Sequence, residues 1–253
     1  MKRKGPFAII EKLENSFTGE DMDSKISVLD IDIDNCSAKE AMKKTMEYMG
    51  TEPVNIVEMA TVGGLMQMDS MQQLKEDICR FDLILAGDKT ILEAADITDR
   101  KHLQETEGRV FLKMFMRYLH KNHKRIYLLV ESEAEGQAIF DYLQKNYYGL
   151  QVVGLAKVSA SNRADDMLVN DINGGEVDCI LAALASPLQE EFILKNKSLL
   201  DARLWLGLGK ENIPVGRTAR DREGSPSFLS GIFLKKRLRR ASADDFSSLC
   251  TWL

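Results

Sequence analysis

Between Gly149 and Gly209 the chain alternates short apolar runs with helical patterns. Gln151 to Gly154, Asp178 to Ala183 and Arg203 to Leu208 are the runs, and Asn162 to Gly174 and Pro187 to Leu199 are the stretches between them. Parallel neighbours cannot be joined by a tight turn, so strands separated by roughly ten or more helical residues predict a parallel sheet with crossover helices. In the middle, Leu184-Ala185-Ser186-Pro187-Leu188-Gln189-Glu190 takes the end of a buried strand directly into a helix, with Pro187 expected as its first residue and Ser186 as its cap. Ligands of open α/β sheets bind at the carboxyl ends of the strands, so this turn is the first place to look for a site.

Upstream the same alternation continues. Strands are expected at Val54 to Met59, Asp82 to Ala86 and Ile126 to Val130, and helices at Met66 to Arg80, Val110 to Asn122 and Glu133 to Tyr147. Lys101 to Gly108 reads as a charged connection. Ser37-Ala38-Lys39-Glu40 is a capping box that opens a helix running to about Met49. The fold class is therefore α/β: a Rossmann-like, mostly parallel sheet of about six strands with helices on both faces. Residues 1–25 read as an N-terminal arm, 26–213 as the domain, and 214–253 as a linker and basic tail.

Leu29, Ile31 and Ile33 alternate with Asp30, Asp32 and Asp34, a strand with one wet face. Carboxylates two apart share a face, as a hard-cation site would need, but an edge strand facing water gives the same pattern. The tail places Phe228 to Leu234 beside Lys235-Lys236-Arg237-Leu238-Arg239-Arg240. That segment either docks on an anionic membrane surface, at about 1 kcal/mol per cation, or packs its apolar side on the domain.

A net charge of -5 argues against nucleic acid as a partner. Cys36, Cys79, Cys179 and Cys250 lack any metal-ligand spacing and read as reduced thiols. His120 and His123 close a helix beside Lys121 and Lys124, and His102 lies far from the strand-end turns in sequence; none of the three is expected to act in catalysis. No apolar run approaches the roughly 20 residues of a membrane span, and the first residues are too short of apolar character for a signal peptide.

Several strings in order resemble the WecG/TagA/CpsF family of glycosyltransferases, over roughly residues 26 to 213. They are Asp34-Asn35-Cys36-Ser37-Ala38-Lys39-Glu40-Ala41; Phe81-Asp82-Leu83-Ile84-Leu85, similar to the family's "ADLVLPDG"; Ile126-Tyr127-Leu128-Leu129, similar to "VFLLGG"; Tyr148-Gly149-Leu150-Gln151-Val152-Val153-Gly154, similar to "PGLxIVG"; and Leu184-Ala185-Ser186-Pro187-Leu188-Gln189-Glu190, similar to "LGAPKQE". The resemblance implies an N-acetylhexosaminyltransferase that moves a sugar from a UDP-sugar to a lipid-linked saccharide in cell-surface polysaccharide synthesis. It also implies action in the cytoplasm at the membrane periphery, without cofactor or metal; a homo-oligomer is compatible with it.

The departures fall where chemistry would be done. The family's "TPN", a polar contact to the site, is Glu58-Met59-Ala60 here, and the aspartate of "LPDG", the expected general base, falls on Gly87 with Asp88 one residue on. The glycines of "LLGG" are Val130 and Glu131, the Lys of "PKQE" is Leu188, and "GVGGAFD" has become Gly207-Leu208-Gly209-Lys210-Glu211-Asn212-Ile213. If transfer occurs, the resemblance makes Asp88 the base. Lys89 and Lys210 would then face the diphosphate, and Gln189 and Glu190 the base or ribose. Glu58, Gly87, Pro187 and Gly209 complete the candidate substrate set. The alternative is a non-catalytic nucleotide-binding or regulatory protein on the same fold, favoured if Met59, Glu131 or Leu188 blocks the cleft.

Overall fold

A computed structural model describes residues 24–160 and 165–212. Its centre is a six-stranded, all-parallel sheet in the order β4-β3-β8-β7-β5-β6. The strands are β3 (Asn55–Ala60), β4 (Leu83–Ala86), β5 (Arg125–Val130), β6 (Gln151–Lys157), β7 (Cys179–Ala183) and β8 (Leu204–Gly207). β7 and β8 are buried at every residue, as a parallel sheet covered on both faces requires.

Side-chain alternation divides the core into two layers. Ile56, Ile180 and Trp205 point to one face, where α2 (Val62–Met68), α3 (Gln72–Ile78), α8 (Asp165–Gly174) and α9 (Leu188–Asn196) pack. Val57, Leu181, Leu204 and Leu206 point to the other, covered by α1 (Ala38–Tyr48), α6 (Val110–Lys121) and α7 (Glu133–Asn146). On the first face the rings of Phe192 and Trp205 stack at 5.8 Å, both with almost no exposure.

The alternating aspartate segment is not one strand but a separate antiparallel hairpin, β1 (Lys25–Val28) and β2 (Ile31–Asp34). Leu29 and Asp30 turn it with positive φ, and the buried Lys75 of α3 holds that turn by donating to Leu29 O (3.2 Å) and Asp30 Oδ2 (2.8 Å). Asp34 Oδ2 accepts the Ile84 amide at 2.9 Å, Asp32 is exposed, and Asp30 is tied to Lys75, so the three carboxylates go to three different places.

Local boundaries follow from caps. The Ser37–Glu40 capping box forms as expected, with Glu40 Oε2 taking the Ser37 amide at 2.7 Å. The expected helix over Met66 to Arg80 is two helices: Thr61 caps α2, the chain breaks after Met68, and α3 starts afresh. Lys101 to Gly108 is a helix rather than a connection: α5 (Arg100–Glu107), capped by Asp99 Oδ1 on the Lys101 amide (3.0 Å). A further short helix, α4 (Lys89–Ala94), follows β4. At α9 the N-cap is Pro187, not Ser186; the Ser186 hydroxyl donates to Glu190 Oε1 (2.6 Å) and no side chain accepts an amide of the helix start, and the Ser186–Pro187 peptide is cis. Residues 1–23, 161–164 and 213–253, which hold the expected arm, the basic tail and Cys250, lie outside the described residues. Among the described residues no helix is long and apolar enough to cross a membrane.

Truncating the face-one ring stack tests how the core is joined. Phe192→Ala is expected to cost about 3–5 kcal/mol, read as a lower urea midpoint with an unchanged slope.

Candidate functional site

At the carboxyl end of β3, Glu58 points to face one and is buried. Gln189 of α9, with no exposed surface, donates from Nε2 to Glu58 Oε1 at 2.5 Å. The other end of the same amide accepts two backbone N–H groups, from Gly209 (3.2 Å) and Leu184 (3.4 Å). One amide thus joins β3, the loop after β7 and the loop after β8. Glu58 Oε2 and Glu190 Oε2 are buried without a hydrogen-bond partner among the described residues. Burial and then the neighbouring Glu190 hold the Glu58 carboxyl well above the usual glutamate range, and burial also raises Glu190.

Gly207 of β8 sits against this pair. A β-carbon there would come within 2.0 Å of Glu58 Oε2 and 2.7 Å of Gln189 Nε2, so glycine is what admits the glutamate. Glu58, Thr61, Ser186, Glu190 and Gly209 line a small, nearly closed pocket with Leu65, Met68 and Ile84 as its apolar wall.

The remaining predicted residues lie around the same strand ends and are engaged with one another. Gly87 is buried, its amide donates to Ala60 O (2.8 Å), and a β-carbon on it would stand 2.3 Å from Asn212 Nδ2 and 2.7 Å from Ala60 O. No side chain fits at the position where the resemblance expects the base. Asp88 is half-buried and caps α4, Oδ1 accepting the Thr90 amide at 2.7 Å. Lys89 pairs with Glu107 of α5 at 2.6 Å. Lys210 pairs with Glu131 at 2.7 Å, and the other oxygen of Glu131 accepts the Ala185 amide at 2.5 Å. A carboxylate, a cation and a backbone amide that a phosphate could have used are therefore paired internally. Pro187 serves as the start of α9 and points the helix at Glu58.

The open space lies on the other face. A cleft that opens to solvent is bounded by Met59, Leu85 and Ala86 at the strand ends and by α1, α5 and α6 around them. Asp34, Cys36, His102, Glu105 and Arg109 supply its polar groups. Arg109, in a left-handed conformation between α5 and α6, donates from Nη1 to Asn212 O at 3.2 Å. Glu105 Oε2 accepts the Ala38 amide at 3.1 Å. Burial, with Asp34 adding, pushes the Cys36 thiol up to about 12, so it is no thiolate nucleophile. Met59 lines this cleft without filling it, and Leu188 does not line it.

Arg109 was not singled out from sequence, because the segment carrying it is polar and shows no periodicity, and His102 was set aside as far from the strand-end turns although the fold brings it to the cleft. The signal that was present is Gly108-Arg109, a turn residue and a cation between an Asp-capped polar stretch and the apolar run of α6. His120 and His123 serve the fold: Nδ1 of His120 accepts the Gly149 amide (2.8 Å), and Nδ1 of His123 lies 3.0 Å from Gly149 O.

The family model described as Glycosyl transferase WecG/TagA/CpsF family matches residues 26–211, the hairpin, the whole parallel sheet and the turn that carries Lys210. The chain belongs to the WecG/TagA/CpsF family. Among curated proteins it is similar to the N-acetylglucosaminyldiphosphoundecaprenol N-acetyl-beta-D-mannosaminyltransferase of Staphylococcus aureus (strain MRSA252), 19% identical over 188 residues, 74% of this chain and 73% of that protein. Membership in the WecG/TagA/CpsF family explains the sheet and the ordered strings. Glu58, Gly87 and Glu131 each have a hydrogen-bond or packing partner within the protein.

The carboxyl pair gives a pH signature. In the unfolded chain Glu58 ionises near about pH 4.3, whereas the folded protein keeps the proton well above that. Stability is full below the unfolded value and is lost as pH rises toward the folded-state titration. Glu58→Gln keeps the bond from Gln189 and removes this loss, so its urea midpoint relative to the parent should rise as pH increases above the unfolded-state value of about 4.3. Parallel curves for the two proteins would contradict the assignment.

Proposed function

We propose that the chain binds a UDP-linked N-acetylhexosamine in the face-two cleft, and that hexosamine transfer to a lipid-linked saccharide in cell-surface polysaccharide synthesis is lost or strongly slowed. Family membership supports the ligand class, and the S. aureus relative, a transferase of N-acetylmannosamine to a polyprenyl-diphosphate saccharide, supports the transferred sugar class and the acceptor chemistry. Arg109 supports anion binding: it lines the cleft together with His102, and both side chains carry nitrogens of the kind that contact a diphosphate. No metal or cofactor enters this reading.

The observation that carries the reading on turnover is Gly87. The backbone and Asn212 leave no volume for a side chain at the position of the family's base. A transferase without a base must deprotonate the acceptor hydroxyl with solvent, and general-base loss costs about 10²–10⁴-fold.

One observation favours an active enzyme as the second reading. Asp88 uses only Oδ1 on the Thr90 amide, and Oδ2 makes no hydrogen bond among the described residues. That oxygen could take a proton if substrate binding turned the loop.

Calorimetric titration of the full chain with UDP and UDP-N-acetylhexosamines, beside a transfer assay on a polyprenyl-diphosphate saccharide, separates the readings. Heat for UDP, weakened about tenfold or more in Arg109→Ala, with no turnover above background, is the expected result. Turnover abolished by Asp88→Ala would establish the second reading, and no heat with any nucleotide would overturn the ligand assignment.

A further inference from the structure

The described residues begin at the face-two cleft. Asn35 donates its amide to Ser24 O (2.9 Å) and Ser24 Oγ donates to Asn35 O (3.2 Å), and the residues on either side of Asn35, Asp34 and Cys36, line the cleft. Residues 1–23 therefore join the domain at the border of the cleft. Their sequence is amphipathic and acidic. Ile9, Ile10, Leu13 and Phe17 recur at helical spacing, with Glu11 and Glu14 off that stripe. From Glu11 to Asp23 the carboxylates are Glu11, Glu14, Glu20, Asp21 and Asp23, against the single cation Lys12.

The cleft complements that pattern. Met59, Leu85, Val110 and Leu112 give it apolar walls. Its own carboxylates are committed, Asp34 to the Ile84 amide and Glu105 to the Ala38 amide. Around it Lys39 of α1, Lys101 of α5 and Lys113 of α6 are exposed, each next in sequence to a lining residue, Ala38, His102 and Leu112 respectively. None of these three cations is in an ion pair among the described residues. The surroundings of the cleft are thus locally basic, although the chain as a whole is acidic.

We propose that residues 7–23 of this same chain occupy the cleft, with Leu13 and Phe17 against its apolar walls and the carboxylates of the segment facing Lys39, Lys101 and Lys113. Phe17 stands seven residues from Ser24, a reach of about 23 Å when extended. That tether is long enough to bring Phe17 into a cleft whose border is Asp34 and Cys36. A segment held on the same chain meets the cleft at an effective concentration on the order of millimolar, which a second copy in dilute solution does not reach. The C-terminal segment also leaves the described residues beside the cleft, at Asn212, whose carbonyl accepts from Arg109. Its apolar run, Phe228 to Leu234, leads into Lys235, Lys236, Arg237, Arg239 and Arg240, which carry the same sign as the surroundings of the cleft. Charge therefore selects the N-terminal segment. A chain so arranged shields its own cleft, and a ligand enters by displacing residues 7–23. Occupancy is measured with no nucleotide present, so it stands or falls apart from the ligand assignment.

A photoreactive p-benzoyl-phenylalanine placed at Phe17 of the full chain, irradiated without nucleotide and mapped by peptide mass spectrometry, tests it. Cross-links within one chain to residues 34–41, 85–86 and 102–112 are expected, and their yield should fall about fivefold in Lys39→Glu/Lys101→Glu/Lys113→Glu. A second measurement leaves the described residues untouched. Leu13→Asp/Phe17→Asp should raise the rate at which Cys36, in the cleft, reacts with a small neutral thiol reagent by about tenfold or more. Cys79, at the end of α3 on the other face, reports whether the fold itself has loosened and should react at the parent's rate. Cross-links only outside the cleft or only between chains, an unchanged yield in the triple variant, or equal Cys36 rates in parent and double variant would each overturn the proposal. Cross-links to the cleft from a probe at Phe233 in place of Phe17 would make the C-terminal segment the occupant and overturn it as well.

Discussion

The side-chain amide of Gln189 holds the carboxyl end of this sheet together. It has no exposed surface, and it spends its donor on Glu58 and its acceptor on the amides of Gly209 and Leu184. A buried amide left unpaired costs about 1–3 kcal/mol, so these partners are mutually required. Gly207 must lack a side chain for Glu58 to reach Gln189, and Gly209 must hold a positive φ of 62° for its amide to return to the same side chain. The loop after β8 is thereby drawn over the strand ends, where Asn212 meets Gly87 and Arg109, and Lys210 meets Glu131.

The chain has the sheet of a glycosyltransferase family, and the residues that the resemblance would turn toward a ligand are engaged within the protein: Gln189 bonds Glu58, Lys210 pairs with Glu131, and Asn212 lies against Gly87. Face one is consequently filled and face two is open. The cleft that remains is bounded by residues from α5 and α6, and its cation is Arg109 rather than Lys89, which is paired at the surface with Glu107.

The sheet was legible because parallel strands buried on both faces are continuous apolar runs. Periodicity failed where burial was small. α5 has no buried residue and so no apolar stripe, and only its Asp99 cap announced it. The hairpin was hidden because Leu29 and Asp30 turn without glycine, with Lys75, 45 residues away from Asp30 in sequence, holding the turn. At the site, the order of strings was readable, but the fate of Gln189 was not. A glutamine in the first turn of a helix reads as solvated, and its burial depends on Glu58, separated from it by 131 residues. Arg109 escaped for the same reason as α5.

Infrared difference spectroscopy between the parent and Glu58→Gln, at a pH just above the ordinary glutamate range of about 4.3, tests the central claim most directly. If Glu58 is held neutral inside the closed network, the parent shows a carboxylic-acid carbonyl stretch that the variant lacks, in a position typical of a buried acid. A parent spectrum with only ionised carboxylate bands at this residue would contradict the account, because burial and the neighbouring Glu190 both oppose a charge on Glu58.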